Sequence, residues 1–386
     1  MVGGLLISLN PIDITLVAGI IHAYLGLKIT RPASGSNILH PIGYGALMVS
    51  LTLSTLLAPE VKRALMLNAA ILPAWFLAGI IAMGFNQAHS IRWFYRVLAL
   101  IVFTMGIMAL VAAYPFTSGD PSTWMKRLSL IYLAVPNDLL YGGILAVVLV
   151  AILISDEWRV CRWLAGLGLI TWFAVAISYR SHAVLLALTI HFIFFARARS
   201  ALWFACAILL GMVLDAALGF PMWKKLLSLP SWWSRIPLWQ AAWQMFMDAP
   251  LWGQGTGSFQ SIGADYVAAA RAGLPEWMPT DSRRTPWPHN IYLETLAERG
   301  LWGFTVLLGF LARVVQSILK RRHWNLGESL GEWPLARVTA AMLSSVAVTG
   351  LFDASINRFW FWIVLAILAG HVSVLIGMEK GEKHEN

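Results

Sequence analysis

Four short polar clusters interrupt a chain that is otherwise strongly apolar, and each suggests a chemistry. The most suggestive is Pro286-Trp287-Pro288-His289-Asn290, followed by Glu294 and Glu298. Two prolines stop any earlier helix, so a new one is expected to begin at His289 or Asn290, with Asn290 as its cap. A histidine at a helix N-terminus sits beside positive partial charges, which disfavour the imidazolium. The neutral ring is the form that serves as a general base. His289 reads equally as a residue that only ends the helix. Glu294 and Glu298 are four apart and share one helical face. They orient the histidine, pair with arginines of the preceding loop, or form a solvated stripe.

The other three clusters carry arginine. Arg283-Arg284, just after Asp281, would recruit phosphate or stand as an exposed basic pair. Arg180, in Ser178-Tyr179-Arg180-Ser181-His182, lies between two apolar segments, where it either faces a lipid phosphate or snorkels to the interface. Arg235 precedes IPLWQAAWQMF and then GQGTGSF at residues 253–259. That glycine-rich run superficially resembles a phosphate loop, but it neither follows a strand nor opens a dinucleotide-binding unit. It reads as a tight turn that lets the loop fold down on the membrane surface. No HExxH, DxD or clustered His/Cys set is present, and Asp248, Asp265, Glu276 and Asp281 are scattered, so neither a metal nor another cofactor is expected. No GxSxG elbow marks a serine nucleophile. Cys161 and Cys206 lie in or beside apolar stretches and form no CxxC.

The elements that must hold these residues are membrane helices. Of 386 residues, 59% are hydrophobic and 12% charged, against about 25% charged in a soluble domain. Apolar segments fall at 9–28, 38–58, 64–85, 93–114, 128–154, 160–178, 181–196, 201–220, 291–312, 336–352 and 359–377. Lipid demands that backbone groups be satisfied internally, which makes these helices. The fold class is therefore all-α and polytopic, with about 11–12 spans, forming one integral membrane domain over residues 1–386. Segment 128–154 is expected to be interrupted at Pro136-Asn137-Asp138 and again at Gly142-Gly143, with Asp138 either lining a cavity or close to the surface. The N-terminus lacks a basic region and a clear cleavage site, so its apolar stretch is expected to remain.

The net charge of +9 fits loop-end Lys and Arg that set orientation, rather than nucleic-acid binding. Lys28, Arg31, Arg92, Arg96, Arg159, Arg162, Arg197, Arg199 and Lys320-Arg321-Arg322 fall on one side when alternate loops are counted. That side is expected to be cytoplasmic, which puts the loop 220–290 outside. Within the loop, 236–249 has helical spacing and suits the membrane surface, and 259–272 is a second helical candidate.

These clusters, in this order, resemble the O-antigen ligase and polymerase superfamily. The resemblance rests on SYRSHAVLLAL at 178–188, Arg235 with LWQAAWQMFMDAPLWGQGTGSF at 238–259, and PHNIYLETLAERGLWGF at 288–304. It implies a GT-C-like, metal-independent membrane glycosyltransferase, with a large periplasmic loop over a lipid-facing cavity. The activity implied is transfer of a glycan from undecaprenyl diphosphate to lipid A-core on the periplasmic face of the bacterial inner membrane. Polymerisation of glycan repeats is the close alternative. By motif, Arg180 and Arg235 would bind the diphosphate, and His289 would be the base or the acceptor-binding residue. Arg271, Arg283 and Arg284 are rivals for the second arginine. Direct displacement would invert the anomeric centre, and the preformed donor would supply the energy. Transport of a lipid-linked anion is the reading from another class, but the interrupted helix has no counterpart in a second half and the polar residues gather in one loop.

Overall fold

The computed structural model describes residues 41–69, 74, 77, 78, 81, 88–113, 139–156, 158–178, 181–195, 233–275, 287–319, 335–352 and 357–385. Segments 9–28 and 201–220, Pro136-Asn137-Asp138, Arg180, Arg283 and Arg284 lie outside them. The described residues contain helix and no strand. Long apolar runs at Arg92–Leu110, Arg159–Ala176 and Ile291–Leu319 have the length and composition to cross a membrane. Shorter apolar helices cover Ala46–Leu56, Leu139–Ser155, His182–Phe195, Leu335–Thr349 and Trp360–Leu375. Among the described residues the architecture is all-helical, and its apolar helices fit a multi-pass membrane protein. The chain divides into two compact units, 1–83 with 232–317 and 355–386, and 84–231 with 318–354.

The first unit contains α1 (Pro41–Leu56) and α2 (Val61–Ala69). The second is built on α3 (Ala88–Ala113), α4 (Leu139–Leu145), α5 (Val147–Ser155), α6 (Arg159–Ser178) and α7 (His182–Phe195). Its centre is Trp172, fully buried, whose indole N–H donates to the Val102 carbonyl at 2.9 Å. The interruption expected at Gly142-Gly143 falls three residues later, at Ala146 between α4 and α5. The two glycines sit inside α4, where a Cβ at Gly142 would strike the Trp172 ring and one at Gly143 would crowd Val184. Absence of side-chain volume, rather than backbone freedom, explains the pair. At the end of α5, Asp156 takes a two-pronged bond from Arg96 at 2.8 and 2.9 Å and accepts the Trp158 amide. The same guanidinium stacks 3.9 Å from the Trp158 ring centre.

The remaining helices of the first unit are α8 (Ile236–Asp248), α9 (Ser258–Ser261), α10 (Gly263–Ala272), α11 (Ile291–Leu319) and, after α12 (Leu335–Thr349) of the second unit, α13 (Phe359–Glu385). The apolar face of α8, comprising Leu238, Ala241, Ala242 and Met245, packs on Phe259, Val267 and Ala297. Residues 233–275 thus share a small core with the first turns of α11. Trp243 and Met247, on the other face of α8, are exposed.

Candidate functional site

The stretch 287–303 is built around two irregularities. Pro288 is followed by His289, which has a φ of 55°, in the left-handed region that an L side chain enters at a cost of about 1–2 kcal/mol. Asn290 then ends the irregularity by capping α11. Its Oδ1 accepts the amides of Tyr292 and Leu293, each at 3.0 Å, and its carbonyl accepts the Glu294 amide at 2.9 Å.

His289 is half-buried and tied to its neighbours by indoles. Trp287 Nε1–H donates to His289 Nδ1 at 3.3 Å, with the rings edge to face at 5.7 Å. Arg358 lays its guanidinium 4.1 Å from the centre of the Trp287 ring. Trp239, one turn into α8, donates its indole N–H to the Pro288 carbonyl at 3.1 Å. Arg235 stands at the N-cap of α8, and its carbonyl accepts the Trp239 amide at 2.9 Å. The backbone of Arg235 is therefore one helical turn from the residue that holds the His289 turn. Arg271, in the last turn of α10, is half-buried.

The second irregularity is Gly300, at φ 62° and ψ −166°, which breaks α11. That combination is open to glycine and essentially closed to other residues, and a Cβ there would strike the Leu251 carbonyl. The break frees carbonyls before it and amides after it, and these must be paired. The glycine-rich turn supplies the partners. Gln254 and Gly255 donate to the carbonyls of Ala297 and Glu298 at 2.8 and 2.9 Å. The carbonyls of Pro250 and Leu251 accept from Leu301 and Trp302 at 2.8 and 3.2 Å. Gly253 must lie close, because a Cβ on it would strike the Arg299 amide. The role of GQGTGSF is thus to complete a broken helix. Its amides point at protein groups.

Glu294 and Glu298 are not a solvated stripe, for each is only 1% exposed. Glu298 accepts the Gly257 and Phe259 amides at 2.9 and 3.2 Å and the Asn357 side-chain amide at 2.7 Å. Asn357 also donates to Glu294 at 3.2 Å. Arg299 donates to the side-chain carbonyls of Asn68 and Asn357 at 3.2 and 3.4 Å. Asn68 in turn donates to Thr55 and Thr256, at 2.7 and 3.3 Å.

The site therefore brings together Arg235 (through its helix), His289, Asn290 and Glu294, with Trp287, Asn357 and Arg358 added by the fold. The last three were missed from sequence alone. The signal for Asn357 and Arg358 was a polar dipeptide between two apolar segments; for Trp287 it was an indole two residues from the histidine.

A family model for O-antigen ligases matches residues 139–308, a range that contains all three motif blocks. No curated protein matches the chain. Over that range the chain is similar to the O-antigen ligases, and its apolar helices fit a membrane protein of that kind.

Proposed function

We propose that the chain is an O-antigen ligase-type glycosyltransferase. It moves a glycan from undecaprenyl diphosphate to lipid A-core on the periplasmic face of the bacterial inner membrane, in a GT-C-like fold whose loop 220–290 faces the periplasm. The observation that carries this reading is the indole bond from Trp239 to Pro288, which couples the helix begun by Arg235 to the turn of His289. In the reaction, the acceptor hydroxyl loses its proton to His289 as its oxygen bonds to the anomeric carbon. The bond from that carbon to the diphosphate breaks, and the carbon inverts. Diphosphate is already a good leaving group and needs charge neutralisation more than protonation. Arg235 and Arg180 supply it through planar forks that stay charged at every relevant pH. Arg283, Arg284 and Arg271 are candidates to assist. A base near the acceptor contributes a factor of about 100 to 10,000.

The test is reconstitution of the full chain with an undecaprenyl-diphosphate glycan, lipid A-core and no added nucleotide or metal. Labelled lipid A-core supports the ligase. Lengthening of the lipid-linked glycan points to the family's polymerase activity instead. His289→Ala and Arg235→Ala are each expected to reduce transfer at least a hundredfold, and full activity in either variant sinks the assignment.

A further inference from the structure

The bond between Trp287 and His289 fixes more than a ring position. An indole nitrogen only donates hydrogen bonds. A nitrogen that accepts from it must present a lone pair, so His289 Nδ1 carries no proton in this arrangement. In a neutral imidazole the ring proton then belongs to Nε2. A proton on Nδ1 would set two N–H groups against each other across a 3.3 Å contact. The indole therefore selects one of two tautomers.

Its own position is doubly secured. Arg358 stacks on its face, and Arg358 follows Asn357, which Glu294 and Glu298 hold from α11. A cation over an indole face also draws electron density from the ring and strengthens the N–H as a donor. His289 itself sits in the left-handed region, at φ 55°.

We propose that Trp287 is the positioning residue for His289, and that Nδ1 is the atom that receives the acceptor's proton. This rests on the reading of His289 as the base that serves the acceptor. The indole N–H occupies the Nδ1 lone pair until the acceptor hydroxyl replaces it. The O–H bond then breaks as the Nδ1–H bond forms, while Nε2–H remains a donor throughout. A base acting through Nε2 would need the opposite tautomer, which Trp287 opposes.

The direct test is nitrogen-15 NMR of the full chain, histidine-labelled and held in lipid nanodiscs at about pH 8, above the ordinary histidine range. The His289 signals are identified by their loss in His289→Gln. The expected pattern is an unprotonated Nδ1 and a protonated Nε2, with a mixture of tautomers in Trp287→Phe, which keeps an aromatic ring and loses the N–H. A proton on Nδ1 in the wild-type chain overturns the proposal, and so does an unchanged tautomer in Trp287→Phe. The wild-type spectrum decides the matter even if that variant does not fold. In the transfer assay, Trp287→Phe is expected to lower kcat roughly threefold to tenfold with the donor KM unchanged, the loss of one hydrogen bond. A change confined to donor KM contradicts it. If the wild-type chain transfers no glycan while the tautomer is as stated, the functional reading fails and the positioning of His289 by Trp287 stands.

Discussion

Each compact unit buries an arginine and a carboxylate, and the two handle the charges in opposite ways. Arg96 and Asp156 meet directly, two bonds between two residues at a helix end. Glu298 and Arg299 are adjacent in sequence, yet each hydrogen-bonds to other groups. The glutamate takes loop amides and Asn357, and the arginine takes the carbonyls of Asn68 and Asn357. A direct pair locks two points. A distributed network ties together residues 54–68, 253–259, 294–302 and 357, and it does so around the Gly300 break in the helix that the His289 turn begins. The lesson is that buried charge can serve as a local clasp or as the frame of a site, and the pattern of partners tells which.

The sharpest way to break the contrast is at Gly300. Gly300→Ala combines forbidden backbone angles with a clash at Leu251, so a loss of about 3 kcal/mol or more is expected. Thermal unfolding in detergent measures it, and wild-type stability would show that the helix break is not constrained. Next comes Glu298→Gln, which places an NH2 where a backbone amide needs an acceptor. The expected loss is about 2–3 kcal/mol by denaturant titration, together with reduced transfer.

Asp156→Asn should cost less, about 1–2 kcal/mol, and leave transfer intact if the clasp is only local. Acid sharpens the difference. Burial pushes the Asp156 carboxyl up, but the bond from Arg96, the Trp158 amide and the charges of Arg96 and Arg92 outweigh it and hold the group below its usual range. The folded chain then binds this proton less readily than the unfolded chain. The pair's stabilisation is complete above about pH 4, the unfolded value, and is lost as pH falls through the lower folded value. Unfolding measured from about pH 6 to 3 should show an acid-dependent component that Asp156→Asn lacks.

The smallest effect is expected at Tyr266, whose hydroxyl donates to exposed Asp248 at 2.7 Å. Tyr266→Phe should change stability by no more than about 0.5 kcal/mol. A larger loss would extend the frame to the outer surface of the loop.

The parts of this arrangement that depend on neighbouring residues could be read from sequence. Pro-Trp-Pro-His-Asn announced the start of α11, and the helical spacing over 236–249 announced α8, though its apolar face packs on Phe259, Val267 and Ala297 where the sequence suggested the membrane surface. The long apolar runs announced the spans. What could not be read depends on distant partners. Asn68 and Arg299 are 231 positions apart, and a single asparagine inside an apolar segment gives no hint of its partner. Gly300 looks like one more tolerated glycine in a helix, because the strands of chain that complete the break come from residues 250–255. Gly142 and Gly143 misled for the related reason that the ring they make room for, Trp172, lies in another helix.

The way the 253–257 turn closes the broken helix bears on how such proteins can diversify. A segment that takes its hydrogen-bond partners from residues 54–68, 245–249 and 297–298 cannot be exchanged alone. Grafting a relative's loop onto this chain would succeed only if the donor also brought compatible residues at 54–68, 297–303 and 357. Substitution is freer on the outer face of α8, at Trp243 and Met247, whose side chains are exposed. The turn is thus a boundary for recombination: sequence can drift freely on one side of it and only in concert on the other.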